Sequence, residues 1–354
     1  MYYLTFTTNI MDLNRSLNEC NGYKNVLDLT NVTDAMDMLY SSTEKVFFIA
    51  VLPVLLSIGV VANTAFIYTV CRVNSMHTIT NAYLANVAVA DLIFLIFVWV
   101  TYFPLYFISP VRNHVFYNSF VGCTLGFWFV NSSYYASSFL ITFVTIERYY
   151  AICRPLKHRM VASKSRTRKL IVLGWVLGLI FGGFVAPRLG GFIRYCVKWP
   201  KLEQFSEMPE TIEFCKAAHS VINIFSEIFR IVPHFTAMFA NIYFYGAIII
   251  TLSRRPGIKS KVGQPQALKI RNQVAKLLIA NGTLFFLCQT PVRLNYIHTM
   301  VVQLGGAGLF NVEQYGIVLI IGRCFLFLNA FINPFVYVAM SSFYRNAFKE
   351  AFTC

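Results

Sequence analysis

Seven apolar runs of membrane length recur along this chain, and they limit its fold more than any other feature. Each run is long enough for a helix to cross about 30 Å of hydrocarbon. Because lipid offers the backbone no hydrogen-bond partners, we expect every run to be a helix, and the sequence predicts an all-α membrane protein. The predicted spans are residues 46–71, 81–111, 115–146, 170–187, 221–252, 277–301 and 315–343.

Charged residues are scarce and unevenly distributed. They make up 13% of the chain, whereas soluble domains carry about 25%. The net charge of +15 comes largely from two connections, because residues 154–169 and 254–276 each hold seven Lys or Arg and no acid. Basic connections between apolar runs are typical of the cytoplasmic side of a membrane protein. We therefore expect the positive charge to set membrane orientation, and we expect no binding to nucleic acid.

The polar start of the chain indicates the opposite side of the membrane. It contains two acceptor sequons, Asn14-Arg-Ser and Asn31-Val-Thr, and such sequons are glycosylated on the extracellular side. With this tail outside, seven crossings place the carboxyl terminus inside, which agrees with the basic connections. Cys354 is a palmitoylation candidate there. The predicted regions are an extracellular tail (1–45), a seven-helix domain (46–340) and a short amphipathic surface helix (341–354).

A carboxylate in the second apolar run indicates a cation site. Asp91 lies in the middle of that run, and an ionised carboxylate at this depth needs a cation or several hydrogen-bond donors. Ser137, Asn329 and Asn333 supply oxygen atoms at similar depths in other runs. We therefore predict that these four residues hold a sodium ion. The alternative is a protonated Asp91 that is hydrogen-bonded without a cation.

Two arginines in the last two runs are candidates for ligand binding. Arg293 and Arg323 carry guanidinium groups that stay charged, so we expect them to face an aqueous cavity and not lipid. One interpretation makes them anchors for an anionic ligand. The other pairs them with an internal acid such as Glu227 or Glu313, or lets them reach the lipid headgroups. The sequence leaves both interpretations open.

One landmark or more stands in each apolar run, always in the same order. These landmarks are Asn63, Asp91, Cys123 with Glu147-Arg148-Tyr149, Trp175, Pro233, Phe285-x-x-Cys288-x-x-Pro291 and Asn333-Pro334-x-x-Tyr337. Together they make the chain resemble a rhodopsin-like (class A) G-protein-coupled receptor over residues 46–353. The resemblance implies a seven-transmembrane helix bundle followed by a short eighth helix.

The resemblance also implies a function and a set of functional residues. It implies a plasma-membrane receptor, not an enzyme, that activates a heterotrimeric G protein at its inner face. The segment R-Y-C-V-K-W-P around Cys196 is similar to neuropeptide receptors, which implies a peptide ligand and a Cys123–Cys196 disulfide. Whether Cys20 and Cys215 form a second pair is left open by the sequence. The implied ligand-binding residues are Phe127, Asn131, Tyr134, Arg293, Tyr296 and Arg323. The implied coupling switch consists of Glu147, Arg148, Tyr149, Asn333, Pro334 and Tyr337.

Departures from the family pattern qualify this interpretation. Gln289 stands where the family usually has a tryptophan, and Arg271 stands about where many relatives have an acid that pairs with Arg148. We therefore expect that inner ionic lock to be absent. A receptor for a lipid or small carboxylate remains the main alternative. A transporter is less favoured because the sequence shows no internal repeats, and an enzyme because it shows no catalytic cluster of His or acids.

Overall fold

The computed structural model describes residues 20, 22–112, 114–115, 120–217, 219–254 and 265–353. Asn14 and Cys354, candidates for glycosylation and palmitoylation, lie outside these residues. The described chain is mostly helical, with short connections. Its α-helices are α1 (Val32–Asp37), α2 (Ser42–Val46), α3 (Leu52–Arg72), α4 (Ile79–Ile108), α5 (Phe120–Cys153), α6 (Pro155–Val161), α7 (Lys164–Val185), α8 (Ser220–Ser253), α9 (Pro265–Gln303), α10 (Val312–Met340) and α11 (Ser342–Phe352).

Seven long helices coincide with the seven predicted runs, so the all-α membrane fold is confirmed. Six of them, α3, α4 and α7 to α10, are long and apolar enough to cross a membrane by length and composition. Helix α5 is also long, at 34 residues, and it carries several polar residues in its middle. Its polar residues Ser132, Ser133, Ser137 and Ser138 are all buried within the protein. Helix α5 therefore directs its polar side chains towards neighbouring helices and not towards lipid.

Helices α5 and α7 approach closely because α7 presents a glycine every four residues. Gly174, Gly178 and Gly182 are all buried. A Cβ atom on Gly178 would lie 2.9 Å from the backbone nitrogen of Ala136 and 2.9 Å from the carbonyl oxygen of Ser132. Backbone atoms inside a helix cannot move aside as the end of a side chain can. Small residues at this spacing allow two helices to pack at short range in a membrane.

The predicted short eighth helix is α11. Hydrogen bonds to α4 and to the end of α10 hold it in place. Burial raises the pKa of the Tyr344 hydroxyl, and this hydroxyl donates a 2.6 Å hydrogen bond to Oδ1 of Asn81. The Arg345 guanidinium donates to the carbonyl oxygens of Val338 and Ala339 at 3.0 and 3.2 Å. These carbonyls belong to the last turn of α10, which has no helical N–H partner for them.

The contacts between residues divide the chain into two compact units. The sheet unit contains the described residues up to 53 together with residues 98–127 and 186–223. The helical unit contains residues 54–97, 128–185 and 224–354.

The sheet unit is built around a three-stranded sheet that the sequence analysis did not predict. Strands β2 (Gly191–Lys198) and β3 (Thr211–Lys216) form an antiparallel hairpin, and β1 (Val26–Asp28) lies parallel to β2. Leu29 and Ala35 from the chain's start are fully buried in one apolar cluster with Ile212 of β3. The last part of the predicted polar tail thus folds onto the hairpin.

The predicted disulfide pairing is wrong. The structure joins Cys123 to Cys215 and Cys20 to Cys196, not Cys123 to Cys196. The strand register explains the exchange, because Cys196 pairs with Val26 of β1 and its N–H donates to the carbonyl of Asn25 at 3.0 Å. Cys20 is therefore brought to Cys196 by the parallel strand. Cys215 instead lies in β3, in an apolar cluster with Cys123.

Replacing Gly178 with Ala should destabilise the protein, because the new methyl group meets backbone atoms of α5. Overpacking of this kind costs roughly 1–3 kcal/mol. Gly183 provides a matched control on the same helix, since a Cβ atom there would meet one atom, Nε1 of Trp128, at 3.9 Å. Thermal unfolding of the purified receptor should show a lower Tm for Gly178→Ala and an unchanged or higher Tm for Gly183→Ala. Equal Tm values would show that α5 and α7 are not in close contact.

Candidate functional site

A buried arginine lies between two tyrosine rings inside the helical unit. Cζ of Arg293 is 4.0 Å from the ring centroid of Tyr134 and 5.2 Å from that of Tyr296. The Arg293 residue is 3% exposed, and its Nη2 donates to Oε1 of Gln289 at 3.3 Å. Arg293 follows Gln289 by four residues and precedes Tyr296 by three, so α9 presents all three on one face. Over the part of the chain that the structure describes, no acidic side chain forms an ion pair with Arg293.

A second arginine contacts the same tyrosine ring from α8. Nη1 of Arg230 lies 3.3 and 3.4 Å from the two carboxylate oxygens of Glu227. Glu227 is completely buried, and Arg230 is 6% exposed. Cζ of Arg230 lies 3.2 Å from the ring centroid of Tyr296. The sequence analysis considered Glu227 as a partner for Arg293 or Arg323, whereas the structure pairs it with Arg230, which that analysis did not assign.

A chain of hydrogen bonds connects α5, α8 and α9 next to these charges. The Tyr134 hydroxyl lies 2.9 Å from Nδ1 of His234, and Nε2 of His234 lies 3.4 Å from the Thr290 hydroxyl. The Tyr134 ring also stacks on Phe285, with centroids 5.9 Å apart and planes 5° from parallel. A movement of Arg293 would therefore act on a tyrosine that is hydrogen-bonded to α8 and stacked on a ring of α9. The sequence analysis found no partner for His234, since these bonds depend on helix packing.

The four residues predicted to hold a cation are together in the structure. Nδ2 of Asn333 donates to Oδ2 of Asp91 at 2.7 Å. Oγ of Ser137 and Oδ1 of Asn329 are buried and have no hydrogen-bond partner among the described residues. They line a cavity of about 10 Å³, which is close to the smallest space that accepts one water molecule. The cavity is lined by Asp91, Phe94, Ser133, Tyr134, Ser137, Phe285, Gln289, Leu326, Asn329 and Ala330.

The predicted switch residues lie in two helices, and the structure adds two partners. The Glu147 carboxylate lies 3.4 Å from Nη1 of Arg166 and 3.8 Å from Nε2 of His158. Glu147 is 4% exposed, so the guanidinium group of Arg166 in α7 offsets a buried charge, and the His158 ring of α6 lies beside it. The sequence analysis predicted neither Arg166 nor His158 as a partner of Glu147. Because the Arg271 side chain lies outside the described residues, the structure does not test the expected loss of the inner lock.

The other predicted residues occupy several environments. Asn333 and Tyr337 are buried in α10, and the Tyr337 ring centroid lies 4.9 Å from that of Phe66. Asn131 is buried in α5, as is Phe127, which belongs to the sheet unit. Arg323 is half-buried in α10 and forms no hydrogen bond or ion pair with any described residue. Of the six predicted ligand residues, the structure therefore joins Tyr134, Arg293 and Tyr296 in one cluster.

The described chain contains seven long helices, three of which, α5, α8 and α9, hold a buried charged and aromatic cluster, and an acid–base motif lies at the end of α5. These features are typical of an integral membrane receptor. The family described as "7 transmembrane receptor (rhodopsin family)" matches residues 62–337, and the chain therefore belongs to that family. It is a multi-pass protein of the plasma membrane and not an enzyme.

Known receptors are similar to most of this chain. Galanin receptor 2b of Danio rerio is 26% identical over 305 residues, which cover 84% of this chain and 72% of that receptor. The thyrotropin-releasing hormone receptor of Gallus gallus is 28% identical over 330 residues, covering 84% and 76%. Growth hormone secretagogue receptor type 1 of Sus scrofa is 26% identical over 302 residues, covering 82% and 76%.

Removing the Tyr134 hydroxyl should lower the stability of the receptor, because this hydroxyl is hydrogen-bonded to His234. The change Tyr134→Phe leaves a buried imidazole nitrogen without its partner, which costs about 1–3 kcal/mol. In a double-mutant cycle on the purified receptor, Tyr134→Phe with His234→Phe should destabilise less than the sum of the single changes. Tyr243→Phe is the control, because Tyr243 is 65% exposed. Fully additive effects in the cycle would contradict the bond.

Proposed function

We propose that this protein is a cell-surface receptor that binds an extracellular peptide within its helical unit and activates a heterotrimeric G protein. The observation that carries the proposal is the buried Arg293 next to Tyr134 and Tyr296, which offers a cation beside two aromatic rings and has no acidic partner among the residues that the structure describes. Membership of the rhodopsin-like family supports G-protein coupling. The names of the relatives, receptors for galanin and thyrotropin-releasing hormone, support a peptide ligand.

The contacts around the cluster support a mechanism of population shift. A ligand that contacts Arg293 acts on Tyr134, which contacts α8 through His234 and stacks on Phe285 of α9. If the ligand binds better when α8 and α9 are repacked, it raises the population of that state. The G protein would bind the repacked state near Arg148, beside the basic connections. In this proposal the first residues of the chain lie outside the cell, as the sequons and the basic connections predict.

A second function has one specific observation in its favour. Arg293 has no ion-pair partner among the described residues, and a free carboxylate fits a guanidinium group well. A lipid or small carboxylate could supply that group without a peptide. This alternative leaves the family and the G-protein partner unchanged and replaces the ligand class.

A screen for G-protein activation separates the two ligand classes. Cells that express the receptor should respond to at least one member of a neuropeptide library and not to a panel of fatty acids and small carboxylates. The variant Arg148→Ala should lose the response while it keeps surface expression, which confirms that the signal passes through this receptor. Responses to carboxylates or lipids alone, with surface expression confirmed, would replace the peptide proposal with the alternative.

We also propose that Asp91, Ser137, Asn329 and Asn333 hold a sodium ion. The set contains one carboxylate and several neutral oxygens, and a single negative charge suits a monovalent cation. The buried oxygens of Ser137 and Asn329 that lack hydrogen-bond partners fit this group. A cation would satisfy them and offset the cost of a buried charge.

Sodium should therefore stabilise the purified receptor against heat. A ligand that binds the folded state raises stability according to its concentration and affinity. Tm should rise with sodium chloride but not with N-methylglucamine chloride, and the Asp91→Asn variant should lose this difference. The same rise with both salts would exclude a sodium site at Asp91.

Asn31 is proposed to carry an N-linked glycan, as is Asn14. Asn31 is exposed, and its Oδ1 accepts hydrogen bonds from the backbone N–H and the hydroxyl of Thr33 at 3.1 and 2.9 Å. Asn31 is also the N-cap of α1. Its oxygen thus caps the helix and leaves its nitrogen as the glycan acceptor.

The glycan can be tested without loss of the helix cap. Asn31→Asp keeps a good capping oxygen and removes the acceptor nitrogen. The variant from cells should migrate faster on a gel than the unmodified sequence, and Asn14→Asp should do the same. Peptide N-glycosidase F should abolish these differences. Equal migration before digestion would contradict both the glycans and the extracellular placement of the tail.

A further inference from the structure

We propose that Glu227 is an internal anion that occupies Arg230 in the ligand-free receptor. We infer that the ligand carries its own anionic group, a carboxylate in the case of a peptide, which pairs with Arg293 and competes with Glu227 for Arg230. The inference rests on the proposed receptor function, since it requires a ligand that enters the helical unit.

The burial of the ion pair is the first argument. Glu227 is completely buried and Arg230 is 6% exposed, within a helix that is apolar enough to span a membrane. Removing two charges from water costs several kcal/mol per ion, so a buried ion pair contributes little to stability. Charged residues in such helices instead mark binding sites or pathways. The Glu227–Arg230 pair therefore needs a functional explanation.

The geometry of the pair is the second argument. One nitrogen of Arg230 lies 3.3 and 3.4 Å from the two oxygens of Glu227. Strong charge-assisted hydrogen bonds are about 2.7–2.9 Å long, and a guanidinium binds a carboxylate best with two parallel N–H groups. Glu227 uses one nitrogen at longer distances because it lies one turn earlier on the same helix. A carboxylate from a ligand can approach from other directions and form the better pair.

The charge of the whole cluster is the third argument. Both guanidinium carbons, of Arg230 and Arg293, lie within 5.2 Å of the Tyr296 ring centroid. The side chains of Arg230, Arg293 and Glu227 together carry one net positive charge in a buried region. One further anion neutralises the set and adds hydrogen bonds to Arg293. A ligand with a free carboxyl terminus, an acidic side chain or a sulfate meets this requirement, and an amidated terminus does not.

Benzoate is a suitable probe because it combines a carboxylate with an aromatic ring. Purified full-length receptor is heated with sodium benzoate or with benzamide, at constant sodium concentration. Benzoate should raise Tm in a concentration-dependent manner, and benzamide should not. Glu227→Gln removes the competing anion with little change in shape, so it should lower the half-maximal benzoate concentration about tenfold. Arg293→Gln should abolish the benzoate effect.

The proposal predicts that Glu227→Gln strengthens benzoate binding and that Arg293→Gln abolishes it. A purely structural Glu227 would give weaker or unchanged benzoate binding in Glu227→Gln, and either result overturns the inference, as does equal stabilisation by benzoate and benzamide. If Glu227→Gln does not fold, Glu227→Asp shortens the competing side chain by one methylene and should give an intermediate gain. Unchanged benzoate binding in Glu227→Asp would then overturn it.

The inference and the proposed function fail in different experiments. Absence of any G-protein response together with the predicted benzoate pattern would refute receptor signalling and retain the anion site. A peptide agonist that is equally potent as free acid and as amide, without a benzoate effect, would refute the anion site and retain the receptor function.

Discussion

The charge of Arg293 is the constraint on which the rest of the helical unit depends. A guanidinium cannot lose its proton at physiological pH, and here it is 3% exposed. Two ring faces and one amide oxygen stabilise it, whereas no described acid pairs with it. Each cation–π contact contributes about 0.5–2 kcal/mol, which is less than the cost of burying an uncompensated charge. The surrounding helices must therefore be stable enough to hold this charge in place.

Close helix packing supplies that stability. Glycines of α7 bring it against α5, the helix that carries Tyr134, and Arg293 lies over the ring of Tyr134. The Tyr134 hydroxyl then joins His234 of α8 and, through it, Thr290 of α9. The close contact between α5 and α7 and the hydrogen bonds from Tyr134 to α8 and, through His234, to α9 thus involve the same helix, α5. Such an arrangement allows a small displacement at Arg293 to change how three helices pack.

The sequence alone predicts much of this structure, for physical reasons that can be named. Apolar length predicts the helices because lipid leaves no other structure for the backbone, and the cost of a buried carboxylate predicts the group around Asp91. The cysteine pairing was wrong because it depends on strand β1, whose register against Cys196 has no local signal. The role of Arg230 was missed for a similar reason. Its charge is visible in the sequence, but its contact with Tyr296 depends on the packing of α8 against α9.

The central claim is that Arg293 is retained for ligand binding at a cost to stability. The most direct test is the thermal unfolding of the ligand-free Arg293→Gln variant beside Arg72→Gln, which changes an exposed arginine that also lies over a tyrosine ring. The account predicts a higher Tm for Arg293→Gln than for the unchanged receptor, and little change for Arg72→Gln. A lower Tm for Arg293→Gln would show that Arg293 stabilises the fold, and would contradict the account.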